Sequence, residues 1–327
     1  MHITPFESGE PAQDNVLRGN YVTLSHCWGG TVIPKLEKGN EHKLISSIFL
    51  SELPATFRDA IQFARSLDSS IRYMWIDSLC IRQGDDEDWA QESIRMYDVY
   101  RNSFLNISAT AALNSSGGLY YRRNPQHLWD EEIKVNIEGL PRSKKDRAHK
   151  RLPDIEPLVR RCKIQDASYW HRNVDDAAVN RRGWVLQERV LASRVLHFCE
   201  DQIAWECQHI DATESFPYGI PDVELKGSET RTRTRIKPLV PAECKQENPG
   251  IPSEVPLSDE ADAAHEKWKA VVERYSTTAL SYGEDKLIAI AGIAELISYH
   301  IGTEVSYVAG MWKTYLASQI LWYTRPR

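Results

Sequence analysis

Residues 21–24 (YVTL) form a short apolar run that ends in Ser25, His26, Cys27 and Trp28 and then two glycines, the pattern of a buried strand running into a loop. From residue 53 to 67, Leu53, Phe57, Ala60, Ile61, Ala64 and Leu67 recur at the spacing of one helical face, and Pro54 suits a first turn. Residues 71–76 (IRYMWI) are apolar almost throughout, as in a strand covered on both faces. Asp85 or Asp86 can cap a helix over 87–101 whose inner face carries Trp89, Ser93, Met96, Tyr97 and Tyr100. Residues 104–109 (FLNISA) supply a third strand. Strand, helix, strand, helix, strand at this spacing predicts a parallel α/β sheet.

Residues 112–180 interrupt the alternation with charge, Asn, Gly and Pro, and are expected to be a long insertion with local structure. The run 181–208 then predicts a short helix, a strand over 194–199, a turn at Glu200–Asp201 and a strand over 202–208. Residues 221–262 are poor in large apolar groups, and 211–262 is expected as a partly disordered linker. Helical patterns follow over 263–275, over 285–300 with Asp285 as N-cap, and less regularly over 304–323. The expected organisation is an N-terminal extension (1–20), a main domain (21–210), the linker (211–262) and a helical C-terminal region (263–327).

Composition narrows the function. The 327 residues are 42% hydrophobic and 26% charged, enough for an ordinary core. With 46 acidic and 40 basic residues the net charge is −6, so no global basic field holds nucleic acid. The basic stretches 144–151 and 231–237 sit beside acidic residues and are expected to be solvated loops. No early segment has the form of a secretion signal, and no apolar run is long enough to span a membrane. The six cysteines (27, 80, 162, 199, 207 and 244) lack paired C-x-x-C spacing, which suggests reduced thiols in an intracellular protein.

In an open parallel sheet, ligands bind outside the carboxyl ends of the strands. Ser25, His26, Cys27 and Trp28 follow the first strand there, and Asp77 follows the second. His26 and Cys27 suggest a nucleophilic pair, but neighbours in extended chain point to opposite faces, so a buried thiol beside a hydrogen-bonded imidazole is the plainer reading. Asp77 is either a ligand-facing carboxylate or a turn cap. Asp85, Asp86, Glu87 and Asp88 read as helix N-terminal charges, Trp89 as core and Glu92 as surface. His197, Cys199, Cys207 and His209 suggest a metal site, but a turn at 200–201 pairs 194 with 207 and puts Cys207 on the face away from His197 and Cys199; no metal is expected. Trp184 and Glu188 are four apart on a short helix, after Arg181 and Arg182. Ring, carboxylate and guanidinium could hold a nucleotide, or form a salt bridge over a packed Trp.

The pieces YVTLSHCWGG, LPATFRDAIQFARSL, RYMWIDSLCIRQGDDEDWAQESIRMYDVYRN and RGWVLQERVLASRVLHF, taken in order, resemble the fungal HET domain, the heterokaryon incompatibility family, over roughly residues 20–210. The later segments WKAVVERYSTTALSYGEDKLIAIAGIAELI and YVAGMWKTYLASQILWY resemble the region that follows HET domains. The chain stops soon after, so the family's longer C-terminal regions and fused modules are not expected. The resemblance implies a fungal cytoplasmic protein of non-self recognition and programmed cell death, working through self-association or another incompatibility protein. HET domains are similar in turn to TIR domains, which implies a TIR-like (flavodoxin-like) parallel sheet with helices on both faces. TIR domains that cleave NAD use a glutamate in a W-C-x-x-E-like motif. WVLQE is similar to it, with Val185 in place of the Cys, and implies Glu188 as catalytic residue. Trp184, Ser25, His26, Cys27, Trp28, Asp77 and Arg182 would then contact the substrate, with NAD the substrate and no cofactor or metal. Two other readings stay open: a HET signalling module without catalysis, and an enzyme of specialised metabolism using Cys27 or His26.

Overall fold

The computed structural model describes residues 2–3, 18–124, 132–136, 159–163, 166, 168–221, 235–237, 257–301 and 306–321. Its centre is a six-stranded sheet of β1 (Asn20–Ser25), β2 (Ile71–Trp75), β3 (Leu105–Ser108), β4 (Arg194–Phe198), β5 (Ile203–Cys207) and β6 (Asp211–Thr213). The spatial order is β6-β5-β4-β3-β1-β2. β2, β1, β3 and β4 are parallel, and β5 and β6 are antiparallel additions at one edge. The sheet is thus mainly parallel rather than wholly so. The predicted hairpin belongs to it and β6 extends it. The hairpin register is the one the sequence predicts, with Arg194 opposite Cys207.

The helices are α1 (Ala55–Leu67), α2 (Asp86–Arg101), α3 (Gly183–Leu191), α4 (Leu257–Tyr275) and α5 (Ile288–Ile301). α1 buries Phe57, Ala60 and Ala64 against Val22, Leu24, Leu105 and Ile107 on one face of the sheet. Pro54 sits at its cap position rather than inside the first turn, and Leu67 ends the helix exposed because the buried stripe closes at Ala64. Asp85 caps α2 by accepting from Asp88 N at 3.1 Å. α2 and α3 lie on the other face, where Met96, Tyr97, Tyr100, Leu186 and Val190 join a core with Trp268, Ile290, Ile293 and Ile297 of α4 and α5. The C-terminal helices therefore form an outer layer over α2 and α3.

Three local expectations change. Asp285 does not cap α5. It lies in a 3-10 turn, Gly283–Lys286, where it accepts from Trp184 Nε1. Residues 307–312 form a strand pair rather than helix, because Ala309 and Gly310 both adopt positive φ (52° and 90°), as a two-residue hairpin turn requires. Within the stretch expected as linker, 211–213 is a strand, and Ile236 and Lys237 are buried. Residues 222–234 and 238–256 lie outside the described residues. Both ends of the predicted insertion pack inward: Ala112 and Leu119 join the α1 core, and Trp170, Val174 and Val179 are buried. Glu132–Asn136 and Val159–Lys163 pair as an antiparallel hairpin. Residues 125–131, 137–158, 164–165 and 167 lie outside the described residues. Among the described residues no helix is long and apolar enough to cross a membrane.

Candidate functional site

Strands β1 and β3 alternate apolar and hydrogen-bonding residues. Their apolar half meets α1. Their polar half (Thr23, Ser25, Asn106 and Ser108) is buried, beneath α2 and α3. Such a face must satisfy its polar groups internally. Thr23 Oγ1 donates to Asn106 Oδ1 (3.0 Å), Asn106 Nδ2 donates to Ser25 Oγ (3.0 Å), and Ser25 Oγ donates to Glu188 Oε2 at 2.5 Å. β1 lies between β2 and β3, so this chain of bonds ends at the carboxyl edge of the sheet where the strand order reverses, the place where open α/β sheets bind ligands.

Glu188 is 4% exposed. Burial pushes its carboxyl up to about 7, with the Arg182 charge opposing and Asp77 adding. The Tyr100 hydroxyl is buried near Glu188 and Ser25 and, among the described residues, has no hydrogen-bond partner. Asp77 opens the turn after β2. Its Oδ2 accepts from Trp28 Nε1 (3.0 Å) and its Oδ1 from Ser78 N (2.7 Å). His26 Nδ1 lies 3.9 Å from Asp77 Oδ1. Among the described residues, neither ring nitrogen of His26 has a hydrogen-bond partner, nor does the buried Ser78 hydroxyl. Burial holds the imidazole below its ordinary pKa, hence neutral at pH 7. Arg182 donates from Nη1 to the His26 carbonyl.

The candidate residues thus divide. Ser25, His26, Trp28, Asp77, Arg182 and Glu188 converge on one region. Cys27 turns instead into a small cluster with Val179 and Val185, its thiol pushed up by burial, while His26 packs edge-on to Phe57 with centroids 4.9 Å apart. No hydrogen bond joins the pair, so the imidazole does not activate the thiol. Trp184 makes its polar and ring contacts with other elements. Its Nε1 donates to Asp285 Oδ2 (3.1 Å) and its ring stands edge-on to Trp89. Arg182 and Glu188 form no salt bridge, because the guanidinium is committed to the His26 carbonyl.

The loop after Trp28 needs its glycines. Gly29 and Gly30 have φ of +63° and +68°, and a Cβ on Gly29 would lie 2.2 Å from Asn114 Cβ, whereas one on Gly30 meets open space. Gly30→Ala is expected to cost about 1 kcal/mol and Gly29→Ala about 2 kcal/mol or more, read from urea unfolding midpoints. Equal losses at the two positions would contradict the close approach of residues 113–114.

A second buried cluster escaped the sequence reading. Arg189, next to Glu188, makes two bonds to Glu206 (2.6 and 3.0 Å) and one to Asp175 (3.0 Å). Arg274 of α4 meets the same Asp175 oxygen at 2.5 Å. His197 Nε2 lies 3.1 Å from Glu206 and Nδ1 lies 3.2 Å from Thr110 Oγ1. Burial holds His197 down at about 4, and Lys237, bonded to the Ala192 carbonyl (2.6 Å), down at about 8. The available signal was the charge set inside the apolar runs VLHF and IAWEC. His197 is therefore held by a carboxylate and a hydroxyl. Among the described residues no group of three or more His, Cys, Asp or Glu could hold a metal ion.

Compared with known protein families, residues 21–188 match the heterokaryon incompatibility protein (HET) family. The chain belongs to the HET family. The match spans just over half of it and runs from β1, through the turn bearing Asp77, to Glu188. It thus takes in the whole Ser25–Glu188 arrangement, while α4 and α5 lie beyond the matched HET span. No curated protein and no solved structure matches the chain.

Proposed function

We propose that this HET-family protein acts in fungal non-self recognition and programmed cell death, in the cytoplasm, by hydrolysing the nicotinamide–ribose bond of NAD at Glu188. The observation that carries this reading is a buried carboxyl titrating near neutrality, hydrogen-bonded by Ser25 at the sheet's switch point. The parallel order β2-β1-β3-β4 and the place of Glu188 on the helix that follows β3 support the likeness to TIR domains.

In this reaction the bond from ribose C1′ to the nicotinamide nitrogen breaks. Its electron pair neutralises the pyridinium, and water adds to the oxocarbenium-like ribose, releasing ADP-ribose, nicotinamide and a proton. Ionised Glu188 would stabilise the developing positive charge. Ser25 would fix its orientation. Arg182 would offer charge to the pyrophosphate, and Asp77, held by Trp28, would border the ribose. The test is nicotinamide release from NAD by purified protein at high concentration, beside Glu188→Gln. Wild-type turnover that falls at least ~100-fold in the variant is the expected result. No release from either protein refutes the enzymatic reading.

One observation favours a second reading, a HET module that signals by self-association. Ser25 and Glu188 are both almost wholly buried, and their bond then locks the sheet to α3. Light scattering on the same samples separates the two: concentration-dependent assembly with no nicotinamide release supports the module.

A further inference from the structure

Helix α3 is only nine residues long, and three consecutive side chains on it go to three different elements. Gln187 Oε1 accepts from Gly292 N of α5 at 2.9 Å. Glu188 meets Ser25 of β1, and Arg189 meets Glu206 of β5. Successive side chains on a helix project about 100° apart, so these three contacts fix the rotation of α3 about its axis. The first of them comes from the C-terminal region.

That region holds α3 at further points. Gly183 N donates to the Ala279 carbonyl (2.8 Å), and Ala279 N to the Arg181 carbonyl (2.7 Å). Trp184 is bonded to Asp285, and Arg274 shares Asp175 with Arg189. Leu186, Val190 and Leu191 pack with Ile290, Ile293 and Ile297. α5 comes this close because residue 292 is glycine: a Cβ there would lie 2.7 Å from Gln187 Oε1 and 3.2 Å from Leu191 Cδ1. Tyr100 lies in the same core while its hydroxyl faces Glu188.

We propose that the C-terminal helix pair is a positioning element for the Glu188 site, and that Gln187, gripped by the Gly292 backbone, is the positioning residue that sets the rotation of α3. The inference rests on the reading of Glu188 as the functional carboxyl. A partner that loosened α4 and α5 would act on the site through this contact, so the pair is also the place from which the site can be regulated.

The test uses the full chain with 13C-labelled glutamate, following the Glu188 carboxyl signal against pH and assigning it by its loss in Glu188→Gln. The groups that bear on the Glu188 charge are Ser25 at the end of β1, Asp77 from the turn after β2, Tyr100 from α2 and Arg182 at the start of α3, with the Cys27 thiol acting at longer range from its own cluster with Val179 and Val185. None is altered in the variants. Gly292→Ala pushes the Gln187 amide away, and Gln187→Met removes the acceptor at similar volume. Each is expected to move the midpoint from about 7 toward the ordinary carboxyl range, as rotation of α3 admits water. Tyr315→Phe, which loses a bond to Asp262 on the outer side of α4, is expected to leave it in place. Should Gly292→Ala fail to fold, Gln187→Met carries the test. A wild-type midpoint in folded Gln187→Met overturns the proposal, as does an equal shift in Tyr315→Phe. The titration is read whether or not NAD is cleaved. A shifted midpoint with no wild-type nicotinamide release leaves the positioning role standing and removes only the enzymatic reading.

Discussion

Replacing Arg189 by methionine is expected to destabilise the protein by about 3–5 kcal/mol at pH 8, read by urea unfolding. Burial works against the Arg189 charge, but Glu206 and Asp175 more than offset it and hold the guanidinium charged. Burial likewise raises Glu206, but Arg189 and the His197 hydrogen bond carry it well below its ordinary value. Methionine fills a similar volume and leaves the Glu206 carboxylate buried without its main partner. Asp175 keeps Arg274. The pH dependence has a definite sign. A carboxylate whose folded pKa is depressed adds stability above its unfolded value and loses it as pH falls through the folded one. The wild type therefore gives up the Glu206 contribution in acid. In the variant, burial still holds the His197 pKa down, but the repulsion from the Arg189 charge is gone, so the imidazole protonates more readily as pH falls and pairs with Glu206. The second effect narrows the gap at pH 5, and the first joins it only below the ordinary carboxyl value of 4.5. A deficit independent of pH would show that lost packing, not an unpaired carboxylate, explains the destabilisation. Adding Glu206→Gln to Arg189→Met is expected to recover about 1–3 kcal/mol.

Glu188→Gln is expected to do the opposite, stabilising the fold while removing any chemistry that Glu188 performs. The Glu188 pKa rises from 4.5 to about 7, with burial the main cause. For an acid whose folded pKa is raised, the folded state is favoured at low pH, and that advantage is lost as pH climbs from the unfolded value through the folded one. At pH 8 the ionised, desolvated carboxyl costs about 3 kcal/mol, which the neutral amide avoids. At pH 5 the cost falls below about 1 kcal/mol, because the folded carboxyl is then protonated. The observable is the difference in unfolding free energy between wild type and variant at the two pH values. Equal differences would mean that Glu188 titrates normally and is not the perturbed group that the proposed reaction needs. A functional carboxyl held at this cost is the pattern of a site that trades stability for activity.

These two neighbouring residues on α3 also mark where sequence reading stops. Local patterns determined a good deal. Short apolar runs placed β1, β2 and β3, the 3.6-residue period placed α1 and α2, and the pair Asp85–Asp86 marked the start of α2, where Asp85 proves to be the cap. The two-residue turn at 200–201 fixed the β4–β5 register, and with it the separation of Cys207 from His197. The ordered motifs identified the HET family, and Glu188 stood out through one of them. The elements and the hairpin register are information carried within a dozen or so residues, where backbone geometry sets a period that can be read directly, and the family is carried by the order of such pieces along the chain.

The tertiary structure decided the rest, because the deciding contacts are long-range. Thr23, Ser25, Asn106 and Ser108 form the polar half of alternating strands, a pattern that ordinarily signals a solvent face. Here the sheet is covered on that side, so the same residues become a buried network ending at Glu188. Ser25 and Glu188 are 163 residues apart, and Gln187 and Gly292 are 105 apart. No local period encodes such partners. Arg189, Glu206, Asp175 and Arg274 look individually like surface charges. Only the packing of α3 between the sheet and the C-terminal helices brings them together in a water-poor interior, where each must find its counter-charge. Trp184 shows the limit from the other side: its spacing from Glu188 is that of one helical face, yet the neighbouring layer claims its indole for Asp285.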